Sequence, residues 1–298
     1  MTTHTISMSI TAALTLSLSA CQRPHHPPTP PSAHRPIKMD ITPQGPTPAE
    51  ARQLAAADPA AFLRLCRDLC RTNIRDYVCL FVKEECLADG RTPERRMEVH
   101  FREQPFSVDL KWTKNPQLAS RMTYVQGWQD QAGNPIAHFH LRGGLGLLAP
   151  KGIYRCIYAD GIGTESRRPI DQFGLCHLLD MIVATNDSAA GHPDCSLGFV
   201  GAETINNRPA LRFQRKLPYT GEGGDWPDRL MIVHIDAEHL VPIALFAYAD
   251  DQRQTLLGRY EFRDLRCNVG LTDAEFGPPP PANLTAEETD HRTGRAGE

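Results

Sequence analysis

The sequence has no block of basic residues and no interleaving of basic with aromatic side chains, and its formal net charge is -3. This composition excludes the broad positive surface that nucleic-acid binding requires. After the first 20 residues there is also no run of about 18 or more apolar residues, the length that a membrane-spanning helix needs. Nothing in the composition predicts contact with nucleic acid or a second membrane segment.

Catalytic motifs are equally scarce, since a Gly-x-Ser-x-Gly elbow, an HExxH helix and a P-loop are all missing. Arg142-Gly-Gly-Leu-Gly146 lacks a strand-turn-helix context and predicts a flexible loop. His138 and His140 share a face of a predicted strand, where surface or core histidines are the simpler interpretation. The adjacent acids Glu84-Glu85 are expected to be solvated. His192-Pro-Asp-Cys195 groups reactive side chains in one loop, but triads form across a fold. We therefore predict no catalytic residue, no metal site and no cofactor.

The N-terminus matches a bacterial lipoprotein signal. Residues 18–21 read Leu-Ser-Ala-Cys, and the uncharged stretch from Ile6 to Ala20 has the length of a signal-peptide core rather than of a permanent span. We expect export, cleavage before Cys21 and lipidation of Cys21. Gln22 favours delivery to the outer membrane, facing the periplasm. The region before Ile6 has no Lys or Arg, which departs from the usual pattern and indicates a misassigned start or a weak signal. An ordinary cleaved signal with a chance cysteine is the alternative.

Composition divides the chain into four segments. We predict a signal peptide over 1–20, a disordered tether rich in Pro and His over 21–46, a folded domain over 47–276 and a disordered tail over 277–298. The tail begins with a run of prolines. The tether has the composition of an extended polyproline-like segment.

The folded domain begins with helices and continues as strands. Thr47-Pro-Ala-Glu50 is a capping box, and a second helix start follows at Asp58-Pro59. From Tyr77 onward apolar and polar residues alternate, as in Met97 to Phe101, with turn signals between the strands. A helical pattern interrupts them near residues 171–183. The pattern predicts an α+β domain in which an antiparallel meander has one apolar face.

Eight cysteines remain besides Cys21, and an even number in an exported protein predicts two or more disulfides. The pairing cannot be derived from the sequence. Cys66 and Cys70 lie one turn apart, so each is better placed to bond another element than its neighbour. Zinc is disfavoured because no CxxC pair is present. Buried free thiols stay open for Cys66, Cys79 and Cys176. The disulfide candidates are Cys66, Cys70, Cys79, Cys86, Cys156, Cys176, Cys195 and Cys267.

Several segments resemble known envelope proteins. Residues 201–213, Gly-Ala-Glu-Thr-Ile-Asn-Asn-Arg-Pro-Ala-Leu-Arg-Phe, and the ending at residues 260–276 resemble LolA-like periplasmic lipoprotein carriers. Residues 77–112, which contain Phe-Arg-Glu-Gln-Pro-Phe-Ser at 101–107, are similar to an uncharacterised envelope family known as a domain of unknown function. The resemblance implies a curved antiparallel sheet, an unclosed half-barrel, with helices packed on or plugging its concave face.

The resemblance also implies a function. In the carriers the half-barrel cavity holds acyl chains, so we expect an anchored, non-catalytic protein that binds an acyl chain, a lipid or a lipoprotein segment. A module with a filled core that binds other envelope proteins is the alternative, and a hydrolase or metal enzyme is a remote one. The residues expected to line the cavity are Val99, Phe101, Val108, Leu110, Trp112, Leu211, Phe213 and Ile232.

Overall fold

The computed structural model consists of a long antiparallel sheet with helices packed on its concave face. It describes residues 45–87, 90–159, 166–221 and 224–289. All of these belong to one compact unit, residues 38–298, and they contain a continuous hydrophobic core. We therefore expect the segment 38–298 to fold without the residues before it. The predictions for residues 1–44, including Cys21 and the signal peptide, lie outside the described residues.

The helices begin where the capping signals place them. Thr47 Oγ1 accepts a hydrogen bond from the Glu50 backbone N–H, and the Glu50 carboxylate accepts one from the Thr47 N–H. Asp58 caps the second helix by accepting from the Ala61 N–H at 2.9 Å. The predicted capping box is therefore present. The helices are α1 (Pro48–Ala57), α2 (Pro59–Asn73), α3 (Gly143–Leu148), α4 (Leu175–Ala189) and α5 (Ala286–Thr289).

The sheet contains twelve strands within the described residues. Its hydrogen-bonded order is β7-β6-β5-β4-β3-β1-β12-β11-β10-β9-β8, and β2 pairs only with β1. The terminal strands β7 and β8 do not pair with each other, so the sheet is not closed. The strands are β1 (Asp76–Leu87), β2 (Gly90–Arg91), β3 (Arg95–Arg102), β4 (Ser107–Lys114), β5 (Ala119–Gln129), β6 (Pro135–Leu141), β7 (Ile153–Cys156), β8 (Ser196–Ile205), β9 (Arg208–Lys216), β10 (Leu230–Asp236), β11 (Pro242–Tyr248) and β12 (Leu256–Cys267).

The predicted α+β fold with an unclosed antiparallel sheet is confirmed. The chain runs outward from β1 to the edge at β7, continues at the opposite edge with β8 and returns to the centre with β12. The central pair β1–β12 therefore joins the two ends of the domain sequence, with Tyr77 opposite Cys267 and Glu85 opposite Gly258. Helices α1, α2 and α4 cover the concave face. Because β1 and β12 are neighbours, residues far apart in the sequence meet at the centre of this face.

Two local expectations differ from the structure. The segment 142–146 was expected to be a flexible loop, but residues from Gly143 form α3 between β6 and β7. Residues 277–289, assigned by composition to a disordered tail, contact the domain: the Gln131 N–H donates to Leu284 O, and Thr289 Oγ1 donates to Asp130, each at 2.8 Å. Thr289 is buried, because this hydrogen bond holds α5 against the β5–β6 turn. The division of the rest of the chain into segments stays a prediction.

Candidate functional site

A cavity of about 130 Å³ lies between the concave face of the sheet and the segment that leads into α4. Its floor comes from the centre of the sheet and its roof from residues 166–174 and the first half of α4. The roof contributes Ile170, Phe173, Leu178 and Met181, whereas the floor contributes apolar side chains from five strands. The floor residues are Phe81, Met97, Leu110, Trp112, Met122 and Phe262.

The roof is irregular before α4 begins, and this irregularity leaves the space open. Pro169 precedes a single 3-10 turn, Ile170–Gln172. Gly174 has a φ of 126°, and a Cβ at this position would lie 2.9 Å from the Phe101 ring, so only glycine fits here. This close approach directs Phe173 onto the floor, where its ring meets Phe81 edge-on at 5.1 Å. The Phe173 ring therefore fills part of the space above the sheet that the side chains of a continuous helix would otherwise occupy.

A buried carboxylate marks the mouth of the cavity. The Glu85 side chain is 1% exposed and pairs with Lys83 Nζ at 2.9 Å. The Tyr260 hydroxyl donates to Glu85 Oε1 at 2.6 Å, and the Arg167 backbone N–H donates to Oε2 at 3.3 Å. Burial, together with the Glu85 charge, holds the pKa of the Tyr260 hydroxyl well above its ordinary value. Tyr260 is therefore a neutral donor throughout the physiological pH range.

Cations outnumber acids at this mouth. Lys83, Arg95 and Arg168 line the cavity together with one acid, Glu85. Arg95 is buried, whereas Arg168 is exposed at the edge of the roof. Among the residues that the structure describes, no carboxylate forms an ion pair with Arg168. The cavity is thus apolar inside and carries the positive charge of Arg168 at its opening.

Three links fix α4 to α2. Cys70 and Cys176 form a disulfide between the two helices. Two ion pairs follow it along α4, Arg71 with Asp180 at 2.8 Å and Arg64 with Asp187 at 2.6 Å. These links hold the roof helix at a fixed height above the sheet, because α2 is itself packed on the other half of the concave face.

The structure places only two of the eight expected cavity residues at the cavity, Leu110 and Trp112. Val99, Phe101 and Val108 are fully packed in the core instead. Leu211 and Phe213 lie beneath α2, where the Phe62 ring stacks on Phe213 at 5.2 Å.

Ile232 lies on the opposite face of the sheet from the cavity. Its neighbours Met231 and Val233 belong to the core cluster, and it does not. The sequence alternation identified the correct face for seven of the eight residues, but it could not show which part of that face the helices fill.

The cysteines form one disulfide, Cys70–Cys176, so the prediction of two or more is wrong for these eight residues, all of which the structure describes. The expectation that Cys70 bonds another element is confirmed. Cys66 and Cys79 are buried free thiols, whereas Cys176 is bonded. Burial raises the pKa of the Cys267 thiol to about 12, so this sulfur is unreactive as a thiolate. The other free cysteines are Cys66, Cys79, Cys86, Cys156 and Cys195.

The polar residues of the mouth were not predicted. Glu84 and Glu85 were expected to be solvated, but only Glu84 points outward, toward Arg91. Phe81, Lys83 and Glu85 occupy every second position of β1 and therefore lie on the same buried face. Two charged residues on an otherwise apolar face were the signal in the sequence that could have predicted this site.

His138 and His140 share a strand as expected, with their rings 4.5 Å apart. In the described ranges no three His, Cys, Asp or Glu side chains converge as metal ligands.

Comparison with known proteins establishes the family. Residues 74–284 match the model of a protein family of unknown function, DUF1571, and the chain belongs to this family. Membership of an uncharacterised family, which the sequence resemblance predicted, is confirmed. No curated protein matches significantly. None of the helices in the described ranges has the length and apolar character needed to cross a membrane.

Solved structures that align with this chain include MucB, a lipoprotein and a LolA superfamily protein. MucB aligns with a TM-score of 0.44 and 13% identity, over 76% of this chain and 65% of that chain, so this chain spans less than two thirds of MucB. Lipoprotein LppX of Mycobacterium tuberculosis has a TM-score of 0.37 and 13% identity, over 72% of this chain and 98% of its own. A LolA superfamily protein of Nitrosomonas europaea gives 0.29 and 8%, over 74% and 97%. At this distance the likeness assigns no activity.

Proposed function

We propose that this protein binds the acyl chain of a lipid or lipoprotein segment in the cavity beneath α4, without catalysing a reaction. The observation that carries the proposal is the cavity itself, which is apolar inside and cationic at its mouth. An amphiphile matches this arrangement, because its tail is removed from water against Leu110 and Phe262 while its polar end stays beside Arg168. Each buried methylene group contributes about 0.8 kcal/mol.

The size of the cavity indicates how the ligand enters. An apolar cavity of about 150 Å³ in another protein accepts a benzene molecule, so a space of about 130 Å³ accommodates only the end of an acyl chain. Deeper insertion requires the roof to move. The irregular segment 166–174 is the part that can move, because α4 is fixed to α2 by the disulfide. Withdrawal of the Phe173 ring from Phe81 and Phe262 lengthens the cavity along the centre of the sheet.

The proposal includes attachment to a membrane. Leu18-Ser-Ala-Cys21 supports export and lipidation, and the Pro-rich residues that follow form a tether long enough to hold the domain away from the bilayer. Gln22 supports an outer-membrane location facing the periplasm. An anchored domain that binds acyl chains acts as a local acceptor or sensor rather than as a carrier that crosses the periplasm.

A second candidate function rests on the edges of the sheet. Strand β8, Ser196–Ile205, ends the sheet, and half of its residues are exposed while none is buried. An unpaired edge can accept a strand from a partner through backbone hydrogen bonds. Another envelope protein is the corresponding partner, and such binding does not require the cavity.

The first experiment measures bound lipid directly. Residues 38–298 are produced in a bacterial periplasm, and native mass spectrometry and solvent extraction are applied to the purified protein. Met181→Asp places a carboxylate in the roof, whereas Ser188→Asp places one at an exposed position near the end of the same helix, away from the cavity, and is the matched control. We expect co-purifying lipid in the parent protein and in Ser188→Asp, and its loss in Met181→Asp, with a cooperative thermal transition showing that each variant is folded.

Two results contradict the proposal. A lipid-free mass for the parent protein, unchanged after incubation with fatty acid or phospholipid, removes the evidence for a ligand in the cavity. Equal lipid content in the two variants places the lipid elsewhere on the protein. Either result favours strand addition at β8 instead. A pull-down that compares the parent protein with Val200→Pro, a change in the β8 edge, then tests that function.

A further inference from the structure

Helix α3 exposes an unusual amount of apolar surface. Leu147 and Leu148 are 85% and 84% exposed, and Leu145 is 44% exposed. The helix is folded tightly onto β6, because a Cβ on Gly146 would lie 2.6 Å from Leu141 O. This close approach leaves the leucines projecting outward instead of packing on the sheet. We name residues 142–151 the leucine turn.

Basic residues frame the leucine turn. On the neighbouring strands Lys111, Lys114 and Arg121 are each paired with a carboxylate, so the charge of the turn comes from its own two cations. Arg142 and Lys151, at the two ends of the turn, are both exposed. Arg142 donates to Pro116 O, a neutral acceptor. In the described part of the chain neither of the two cations forms an ion pair with a carboxylate. The turn therefore combines projecting leucines with uncompensated positive charge.

The leucine turn lies at the same end of the sheet as the cavity mouth. The Arg142 N–H donates to Leu118 O at 2.9 Å, and the adjacent Gln117 lines the cavity. Leu118 is itself 47% exposed and extends the apolar surface. A surface that contacts the leucine turn is consequently brought next to the opening of the cavity.

We propose that the leucine turn docks on an anionic lipid bilayer. Leu147 and Leu148 insert at the level of the acyl-chain boundary, while Arg142 and Lys151 contact the lipid phosphates. A bilayer fits better than a protein partner, because a stable protein interface buries about 1,200–2,000 Å² and a six-residue helix projects far less. Apolar side chains flanked by Lys and Arg are the combination that binds at membrane interfaces. Docking turns the cavity mouth toward the bilayer, whether or not the cavity holds a ligand.

Vesicle binding tests this proposal with residues 38–298, which exclude any lipid on Cys21. Co-sedimentation is measured with vesicles of phosphatidylcholine alone and of phosphatidylcholine mixed with phosphatidylglycerol. We expect binding to the mixed vesicles that weakens with added salt. Leu147→Ser with Leu148→Ser lowers the partition coefficient about tenfold or more. Arg142→Gln with Lys151→Gln lowers it about fivefold per cation on the anionic vesicles.

The matched control removes exposed apolar side chains elsewhere. Val200→Ser with Val269→Ser alters two residues that are 48% and 43% exposed, and binding is expected to be unchanged. Failure of the parent protein to bind the mixed vesicles overturns the proposal, as does equal binding by the double leucine variant. A leucine-dependent dimer in sedimentation without vesicle binding also overturns it, because a second copy then covers the leucines. The Met181→Asp variant keeps its vesicle binding, which separates this proposal from that of the cavity.

Discussion

The two halves of the concave face are built from the same alternation of apolar residues but differ in how they are covered. Helices α1 and α2 lie on the half formed by β8–β10, which we call the packed half, and Phe62 and Phe199 both contact Phe213 there. The half formed by β1 and β3–β5, the cavity half, is covered by the irregular segment 166–174 and by the start of α4. A regular helix fills its half, and an irregular roof leaves a cavity.

This difference shows that the covering segment, more than the sheet, determines where a ligand can enter. A sheet strand presents an apolar side chain at every second position in both halves. Only the helices supply the matching side chains that exclude water and ligand. Removal of one aromatic ring should therefore lower the free energy of unfolding strongly in the packed half and only slightly at the roof of the cavity half.

The largest expected effect comes from the packed half. Phe213→Ala removes a fully buried ring that contacts two others, and we expect a loss of about 3–5 kcal/mol in the free energy of unfolding. Phe173→Ala at the cavity roof should cost less than half as much, because its ring already borders empty space. Urea denaturation of both variants measures the two values. Similar losses would show that the roof is packed as tightly as the core.

The disulfide joins the two halves and gives the next effect. Cys70→Ala with Cys176→Ala opens a loop spanning 106 residues, and we expect destabilisation by about 2–4 kcal/mol. Cys195→Ala, which removes a free and half-buried thiol, is the control and should change stability little. Hydrogen exchange should accelerate in residues 166–189 of the double variant before it does so in the sheet. Uniform acceleration would mean that α4 is held by packing alone.

The same substitution in the two halves should have opposite results. Leu211→Phe overpacks the packed half and is expected to cost about 1–3 kcal/mol. Leu110→Phe adds volume at the cavity, so stability should be unchanged or rise by about 0.5–1 kcal/mol while lipid binding falls. Thermal melts and native mass spectra report the two properties. Equal destabilisation by both variants would contradict an open cavity in the cavity half.

Sequence reasoning could predict the sheet better than the site. The alternation at Val99, Leu110 and Phe213 identified the buried face correctly, because periodicity depends on local backbone geometry. Ile232 was assigned to the wrong face, although it shares its face with the polar His234 and alternates with Val233 of the core, so the local pattern held the correct answer. The mouth at Glu85 and Tyr260 unites residues 175 positions apart, and such contacts have no local signal.

The packing of the helices on the sheet and the pairing of the cysteines could also not be predicted from the sequence. Phe62 covers Phe213 and Phe173 covers Phe81, but neither pairing has a periodic pattern that could predict it. The helical face of Cys66 and Cys70 was visible, yet only the packing of α2 against α4 selects Cys70 as the bonded residue. The exposure of the α3 leucines could not be predicted for a similar reason, because it depends on which other segments pack against them in the folded protein.

The smallest expected effect concerns the junction of the halves, where Glu103 follows β3. Burial, with the nearby Asp180 carboxylate, raises the pKa of Glu103 from 4.5 to about 7, although Arg71 opposes this shift. The unfolded chain thus releases the proton near pH 4.5 and the folded chain near pH 7, so stability falls as pH rises between these values. We expect Glu103→Gln to match the parent protein below pH 4.5 and, above pH 7, to exceed it by about 1–2 kcal/mol after allowance for partial exposure. Urea denaturation across this pH range measures the difference. A stabilisation independent of pH would show that the pKa of Glu103 is the same in the folded and unfolded proteins and would contradict this prediction.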